Sequence, residues 1–329
     1  MFTTIRTPLR VSFFGGGSDF PEYFSEYGAS VLGMAINKYI YISALELGDY
    51  VDYRFRVSYS KHERVRSIHE LEHPVVRAAL RLSAWSRPLD VSILSDLPAR
   101  SGLGSSSAFT VGFLHLLASL QSQCLSKHNL AVNAAKLERD ELKENVGFQD
   151  QFHTSFGGLN RFDFSKDGAI DVRPIDLSDG RVSELVSTFY LLDTSITRLS
   201  TEMQSAHIEN ICSRKIVSKL HESVELVNEA MRIFSSNSIS FVDEFSRLLR
   251  EAWQLKKSFS ESITSDIVDN LYNRAITAGA LSGKLCGAGG GGFLLLQIKQ
   301  DRHESVSKAL SPIRLIPISA DTFGSTRII

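Results

Sequence analysis

One glycine-rich turn and two acids carry the chemistry in this sequence. The turn reads Ser95-Asp96-Leu97-Pro98-Ala99-Arg100-Ser101-Gly102-Leu103-Gly104-Ser105-Ser106-Ser107. It joins an apolar run, LDVSIL over 89–94, to a helical pattern bearing Ala108, Val111, Phe113, Leu114 and Leu117. Backbone N–H groups at a helix start, cleared of side chains by glycine, form an anion site that the helix dipole reinforces. Three consecutive serines add hydroxyls for phosphate oxygens or a metal ion, and an N-cap role for Ser105 accounts for only one of them. The spacing is not that of a Walker A loop. Gly279-Ala280-Leu281-Ser282-Gly283-Lys284-Leu285 misses that pattern too, by one residue and by the lack of a hydroxyl after the lysine. A phosphate site of another design is expected.

The first acid is Glu138. On a helical wheel through 130–144, Lys136, Arg139, Asp140 and Lys143 share one face, while Ala131, Ala134, Ala135 and Leu142 form the opposite arc with Glu138 near its middle. A carboxylate among apolar neighbours needs a partner, either a metal ion or a core Arg or Lys; the pattern leaves both open. The second acid is Asp150, in Asn145-Val-Gly-Phe-Gln-Asp150-Gln-Phe-His, where the residues alone favour an N-cap of a short helix. Two other patterns carry no chemistry. His69-Glu-Leu-Glu-His73 matches HExxH, but Pro74 drives His73 out of the helical region, so the histidines do not share one helix. No GxSxG elbow occurs.

A third feature is Cys286-Gly-Ala-Gly-Gly-Gly-Gly292-Phe293. Gly287, Gly289 and Gly292 formally match GxGxxG, but FLLLQIK follows, a strand where a dinucleotide site needs a helix. A tight turn needs fewer glycines, so a close approach to the backbone is expected.

The elements that must hold these residues read as α+β. Strands are expected at Leu9–Phe14, within 29–47, over 54–60, at 89–94, on both sides of Asp167-Gly168, at 189–192, at 293–298 and near 313–318. Helices are expected over 74–85, 105–120, 126–144 and most of 201–279, with breaks at 235–240 and 258–265. No repeat or low-complexity segment interrupts them. The 329 residues suggest two lobes, 1–175 and 176–329. A net charge of −1 without a basic stripe speaks against nucleic acid or anionic membrane as partner, including RNA binding. Three scattered cysteines, no apolar signal core and no run of about 18 apolar residues fit a soluble protein of a reducing cytoplasm.

Three segments, in order, resemble the motifs of the GHMP kinases: Pro8-Leu-Arg10-Val, Pro98-x-x-x-Gly102-Leu-Gly104-Ser-Ser-Ser-Ala108, and Lys284-x-Cys-Gly287-Ala-Gly289-Gly-Gly-Gly292. RTPLRVSFFGGGSDFPEY, INKYIY, SIHELEHPVVRAAL and GFQDQ resemble the heptose-phosphate branch of that family. The resemblance implies an N-terminal lobe like ribosomal protein S5 domain 2 and a C-terminal ferredoxin-like lobe. It implies ATP-dependent phosphorylation of the anomeric hydroxyl of D-glycero-D-manno-heptose 7-phosphate, supplying nucleotide-activated heptose for surface polysaccharide. Pro98, Gly102, Leu103, Gly104, Ser105, Ser106 and Ser107 would wrap the ATP phosphates, and Ser106 and Glu138 would hold Mg²⁺. Asp150 would take or polarise the hydroxyl proton, and Arg10 would stabilise the moving phosphoryl group. Asp19, Gly15, Gly16, Gly17, Gly289 and Gly290 would meet the sugar. Lys38, Arg198 and Arg161 are candidates for its phosphate, though each is by default a solvated charge. Two departures stand out: Gly15-Gly16-Gly17 replaces Gly-Glu-His, and Cys286 replaces a Ser/Thr. The alternatives are a kinase of an unphosphorylated sugar, such as fucose or another hexose, and a non-catalytic sugar or nucleotide sensor. A homodimer is left open.

Overall fold

Alternating and β-branched residues over the first 46 positions make two long antiparallel strands, β1 (Phe2–Phe14) and β2 (Ala29–Glu46), joined by a short helix, α1 (Pro21–Tyr27). The computed structural model describes the chain except residues 49, 100 and 197–199 and the side chains of Ser200 and Thr201. The strands run in register from Phe2↔Leu45 to Phe14↔Leu32, with shifts at Pro8/Leu9 and between Ser12 and Phe14. Proline cannot donate to a ladder, so its place at an irregularity follows from its chemistry. Beyond this bulge, the free amide of Arg10 bonds the carbonyl of Leu103 at 3.0 Å, docking the glycine-rich turn onto β1.

The rest of the first lobe comprises β3 (Phe55–Ser58), β4 (His62–Val65), α2 (Pro74–Leu82), β5 (Leu89–Ser95), α3 (Ser105–Leu120), α4 (Lys127–Lys136), α5 (Gln149–Phe156), β6 (Leu159–Phe164) and β7 (Ile170–Ile175). The second comprises α6 (Gly180–Ser187), β8 (Phe189–Asp193), α7 (Ser200–Cys212), α8 (Val217–Ser235), α9 (Phe241–Lys257), α10 (Asp266–Thr277), β9 (Ser282–Leu285), β10 (Phe293–Gln297), α11 (His303–Leu310) and β11 (Leu315–Pro317). The final strand, β12 (Thr326–Arg327), returns to pair with β1. The larger sheet has the order β12-β1-β2-β5-β3-β4, with β6 on β2 and β7 on β6; the smaller runs β11-β8-β10-β9. The 18 residues of β2 serve two partners on one edge, β6 along its first part and β5 along its last.

Three aromatic rings join the sheets: Phe13 lies 5.0 Å from Phe189 and 5.4 Å from Phe245, all fully buried. Each withdraws a side chain worth about 2–3 kcal/mol from water. The 105–120 helix is not amphipathic. Apart from a strip through Leu114 and His115, it is buried from Ser107 to Ala118, because α2, α4 and α5 surround it as well as the sheet. His69 sits in a 3₁₀ turn and His73 precedes α2, so the HExxH pattern is split between elements as the proline requires.

Candidate active site

Just past the shift at Pro8/Leu9, where β2 carries two extra residues, Arg10 reaches two targets at once. Its Nε and Nη2 each donate at 2.7 Å to the two carboxylate oxygens of Asp150, while Nη1 donates to the carbonyl of Gly102 at 2.6 Å. Burial opposes the charge on this guanidinium, but the Asp150 carboxylate outweighs it and holds the group protonated. A bidentate arginine fixes a carboxylate in both position and plane, so Asp150 is oriented from the same atom group that braces the glycine turn.

Asp150 is not a cap. Phe148 occupies the N-cap of α5 without a side-chain bond, and Asp150 lies in the first turn with its carboxylate given to Arg10. The capping work is done from 130 residues away: Asp19 accepts from the backbone N–H of Gln149 at 3.0 Å and from its amide side chain at 2.8 Å. Gly17 N–H adds a third donor at 3.1 Å. Burial nevertheless lifts the Asp19 carboxyl to about 6, the donors pulling down and nearby Asp150 pushing up.

Gly102 and Gly104 take left-handed φ values of 75° and 73° and feed into α3, whose first intrahelical bond is Ala108 N–H to Gly104 O. The amides of 105–107 are therefore uncommitted within the helix. Leu103 is buried and anchors the turn; Pro98 and Ser106 are exposed, and Ser105 is half-buried. Facing this helix start, Glu138 lies in a π-helical turn, Leu137–Glu141, that interrupts the end of α4. Such turns recur at functional sites because they push one side chain out of helical register. Glu138 is fully buried, and its Oε2 accepts from Ser107 Oγ at 3.0 Å and from the amide of Gln151. The serine beside Glu138 is thus Ser107, one helical step from the expected Ser106. Of the two partners left open for this acid, no Arg or Lys is present among the described residues. Burial raises its carboxyl to about 7, with the nearby Thr110 hydroxyl and the Gln151 and Ser107 hydrogen bonds pulling the other way.

The third glycine run approaches another backbone closely. A Cβ on Gly287, at φ 68°, would sit 2.6 Å from the Cα of Gly102, so the run and the 102–104 glycine turn pack main chain to main chain. Gly289 and Gly290 are held instead against Ile263, and Gly290 N–H donates to its carbonyl at 2.9 Å.

Arg10, Asp19, Gln149, Asp150, His207, Lys256 and the start of the third glycine run border one cavity of about 140 Å³. Gly15, Gly16 and Gly17 form a wall, and α7 covers another side. Pro98, Gly102, Leu103, Gly104, Ser105, Ser106, Ser107, Glu138, Gly289, Gly290, Lys38 and Arg161 are not part of its lining; the glycine turn meets the cavity wall through Arg10 and Gly287, which both touch Gly102. Arg161 is spent on Asp163 at 2.7 Å. Arg198 lies outside the described residues. Gln149, Gln151, His207 and Lys256 escaped the sequence reading; the two glutamines flank Asp150 inside GFQDQ, whereas Lys256 resembles any basic last turn of a helix.

A magnesium ion fits the Glu138 corner. The donors there are hard oxygens, and Oε1 of both Glu138 and Gln151 is buried without a partner. No cluster of three or more His, Cys, Asp or Glu that could cage a metal alone occurs among the described residues, which suits an ion shared with nucleotide phosphates.

Family models match at both ends of this arrangement: the GHMP kinases N terminal domain over residues 70–158 and the GHMP kinases C terminal domain over 221–313. The chain belongs to the GHMP kinases and has their two-lobed α+β fold; it is a sugar kinase, a phosphotransferase with an alcohol acceptor. It is 28% identical to D-glycero-alpha-D-manno-heptose 7-phosphate kinase of Campylobacter jejuni, over 93% of both chains. It is 24% identical to the galactokinase of Pyrococcus furiosus, over 93% of this chain and 92% of that one. Among solved structures it resembles a D-glycero-D-manno-heptose 1-phosphate kinase from Bacteroides thetaiotaomicron, with TM-score 0.79, 24% identity and 99% of both chains covered. No helix among the described residues is long and apolar enough to cross a membrane.

Proposed function

We propose that this enzyme transfers the γ-phosphoryl group of ATP to the anomeric hydroxyl of D-glycero-D-manno-heptose 7-phosphate, giving the 1,7-bisphosphate. The observation that carries this reading is the guanidinium of Arg10, bonded at once to Asp150 and to the carbonyl of Gly102. Nucleophile-activating acid and phosphate turn are thereby locked in one geometry. Positioning and charge stabilisation are the large terms in phosphoryl transfer.

In the reaction, Asp150 accepts the proton of the sugar hydroxyl as its oxygen bonds to the γ-phosphorus and the bond to the bridging oxygen of ADP breaks. Arg10 offsets the charge that gathers on Asp150 and the moving group. The amides of 105–107 and the hydroxyls of Ser105 and Ser106 hold the ATP phosphates, with Pro98, Leu103 and the glycines of the turn shaping their approach. Asp19, Gln149 and the 15–17 loop face the sugar hydroxyls. Ser106 and Glu138 would hold Mg²⁺, with Ser107 and Gln151 orienting the carboxylate; when bound, the ion neutralises charge between the β- and γ-phosphates. The heptose reading rests further on the relative from C. jejuni that shares 93% of its length with this chain.

The test is ADP release across a panel of heptoses and hexoses, with and without a terminal phosphate, and NMR identification of the phosphorylated carbon. Turnover that requires the 7-phosphate and yields a product phosphorylated at carbon 1 is expected. Equal turnover of fucose or another free hexose overturns the substrate, and phosphorylation at any other carbon overturns the position.

A further inference from the structure

Two lysines border the active-site cavity without a carboxylate to match them. Lys256, near the end of α9, donates from Nζ to the carbonyls of Leu285 at 2.8 Å and Gly287 at 2.6 Å. Lys284, in β9, donates to the carbonyl of Phe13 at 2.7 Å. An ammonium has three donors, so one N–H of Lys256 and two of Lys284 have no protein acceptor among the described residues. Neither side chain forms an ion pair there. The cavity's acids are occupied, Asp150 by Arg10 and Asp19 by Gln149 and Gly17. Cys286, two residues after Lys284, offers no counter-charge, because burial raises its thiol.

An unpaired buried ammonium is costly. Burial brings Lys256 down to about 7 and Lys284 to about 8, with Arg10 acting on both in the same direction. A half-buried Lys256 kept only to tie down the Gly287 loop would not need the buried Lys284 at the same wall. Two charges and three free N–H groups match a phosphate monoester, which brings close to two negative charges and three acceptor oxygens.

We propose that Lys256 and Lys284 form a phosphate subsite in the wall between α9 and the Gly287 loop. The inference rests on the kinase reading above for its biological ligand. The phosphate has two sources, the ester already on the sugar acceptor and the group transferred from ATP.

The experiment uses the full chain and the variants Lys256→Gln and Lys284→Gln, whose amides still donate to the backbone carbonyls but carry no charge. Circular dichroism and melting establish that each is folded. Calorimetric titration with inorganic phosphate is expected to show binding to the wild type and a loss of about ten- to hundred-fold in each variant. Steady-state kinetics separate the sources. A KM for the sugar phosphate raised tenfold or more, at unchanged KM for ATP, assigns the subsite to the acceptor's ester. A raised KM for ATP or a lowered kcat with every acceptor assigns it to the transferred group. The subsite is overturned if wild type and variants bind phosphate equally and both KM values and kcat stay within twofold, or if the wild type binds no phosphate at 10 mM, about the weak end of useful affinity. Should phosphate bind to the wild type while no sugar is phosphorylated, the subsite stands and the kinase reading falls.

Discussion

Two acids in this enzyme sit on successive sides of the same glycine turn, and they are prepared in opposite ways. Both oxygens of Asp150 are bonded to a guanidinium at 2.7 Å. Glu138 is fully buried against two neutral donors, both on one oxygen, with the other oxygen bare. The first is a finished ion pair within the protein. The second is half of an ion pair, held close to neutrality until a cation arrives. In the proposed mechanism the catalytic group is thus built in advance, whereas the metal-binding group stores its electrostatic need for the ligand that relieves it.

The largest effect is expected at the finished pair. Asp150→Asn keeps the volume but offers Arg10 one acceptor oxygen in place of two and cannot take a proton. We expect kcat to fall about 10³-fold with the KM for ATP changed only a few-fold, read from initial rates. Undiminished turnover would make Asp150 a tether for Arg10, and the contrast between the two acids would lose its catalytic half.

At the unfinished site the expected loss is smaller, about 10²-fold in kcat/KM for Glu138→Gln, together with a weakened response to magnesium concentration. The pH dependence follows from a carboxyl near 7. Below that pH a proton competes for the oxygen the metal would use, so the magnesium concentration for half-maximal rate should rise about fivefold from pH 7 to pH 6. The same raised carboxyl sets a stability trend with the opposite sign from the usual acid. Its folded value lies above its ordinary value of 4.5, so the folded state holds the proton more tightly than the unfolded chain. That stabilisation is complete below about pH 4.5 and is lost as pH rises to about 7, on the order of 3 kcal/mol in all. Urea melts of wild type and Glu138→Gln at pH 5 and pH 8 should differ in this sense. Asp19, lifted to about 6, adds a parallel trend in both proteins and cancels from the difference.

What could be read from the sequence divides along the same line. Local chemistry was legible: the strand–glycine–serine–helix passage around 102–107, the long β2, the acid on an apolar helical face, and the proline that splits His69 from His73. Features made by distant pairing were not. The partner of Gln149 N–H is Asp19, 130 positions back, so an N-cap reading of Asp150 had no competitor in its own neighbourhood. The return of β12 to β1 is invisible in two residues, Thr326–Arg327, with no strong pattern. Lys256 follows the rule that cations end helices, and only the fold reveals that its head is turned inward to two carbonyls. Arg161 shows the reverse case, a cation offered to a ligand that Asp163, two residues on, had already taken.

The finest distinction is between adjacent serines. Consecutive helix positions point about 100° apart, so a π turn that shifts Glu138 decides which hydroxyl it meets. That hydroxyl is Ser107's, at 3.0 Å, while Ser106 is exposed at the helix start with its carbonyl taken by Thr110. If Ser106 is the ligand of the metal and Ser107 the orienter of its carboxylate, the two alanine variants should separate by assay. Ser106→Ala should raise the magnesium requirement about tenfold and leave thermal stability unchanged, because an exposed hydroxyl contributes little to folding. Ser107→Ala should lower stability by about 1 kcal/mol through the lost buried bond, and alter the magnesium requirement only severalfold, since Gln151 still holds Oε2. The reverse result, with the magnesium effect confined to Ser107→Ala, would transfer the metal to the buried serine and make Ser106 a phosphate contact alone.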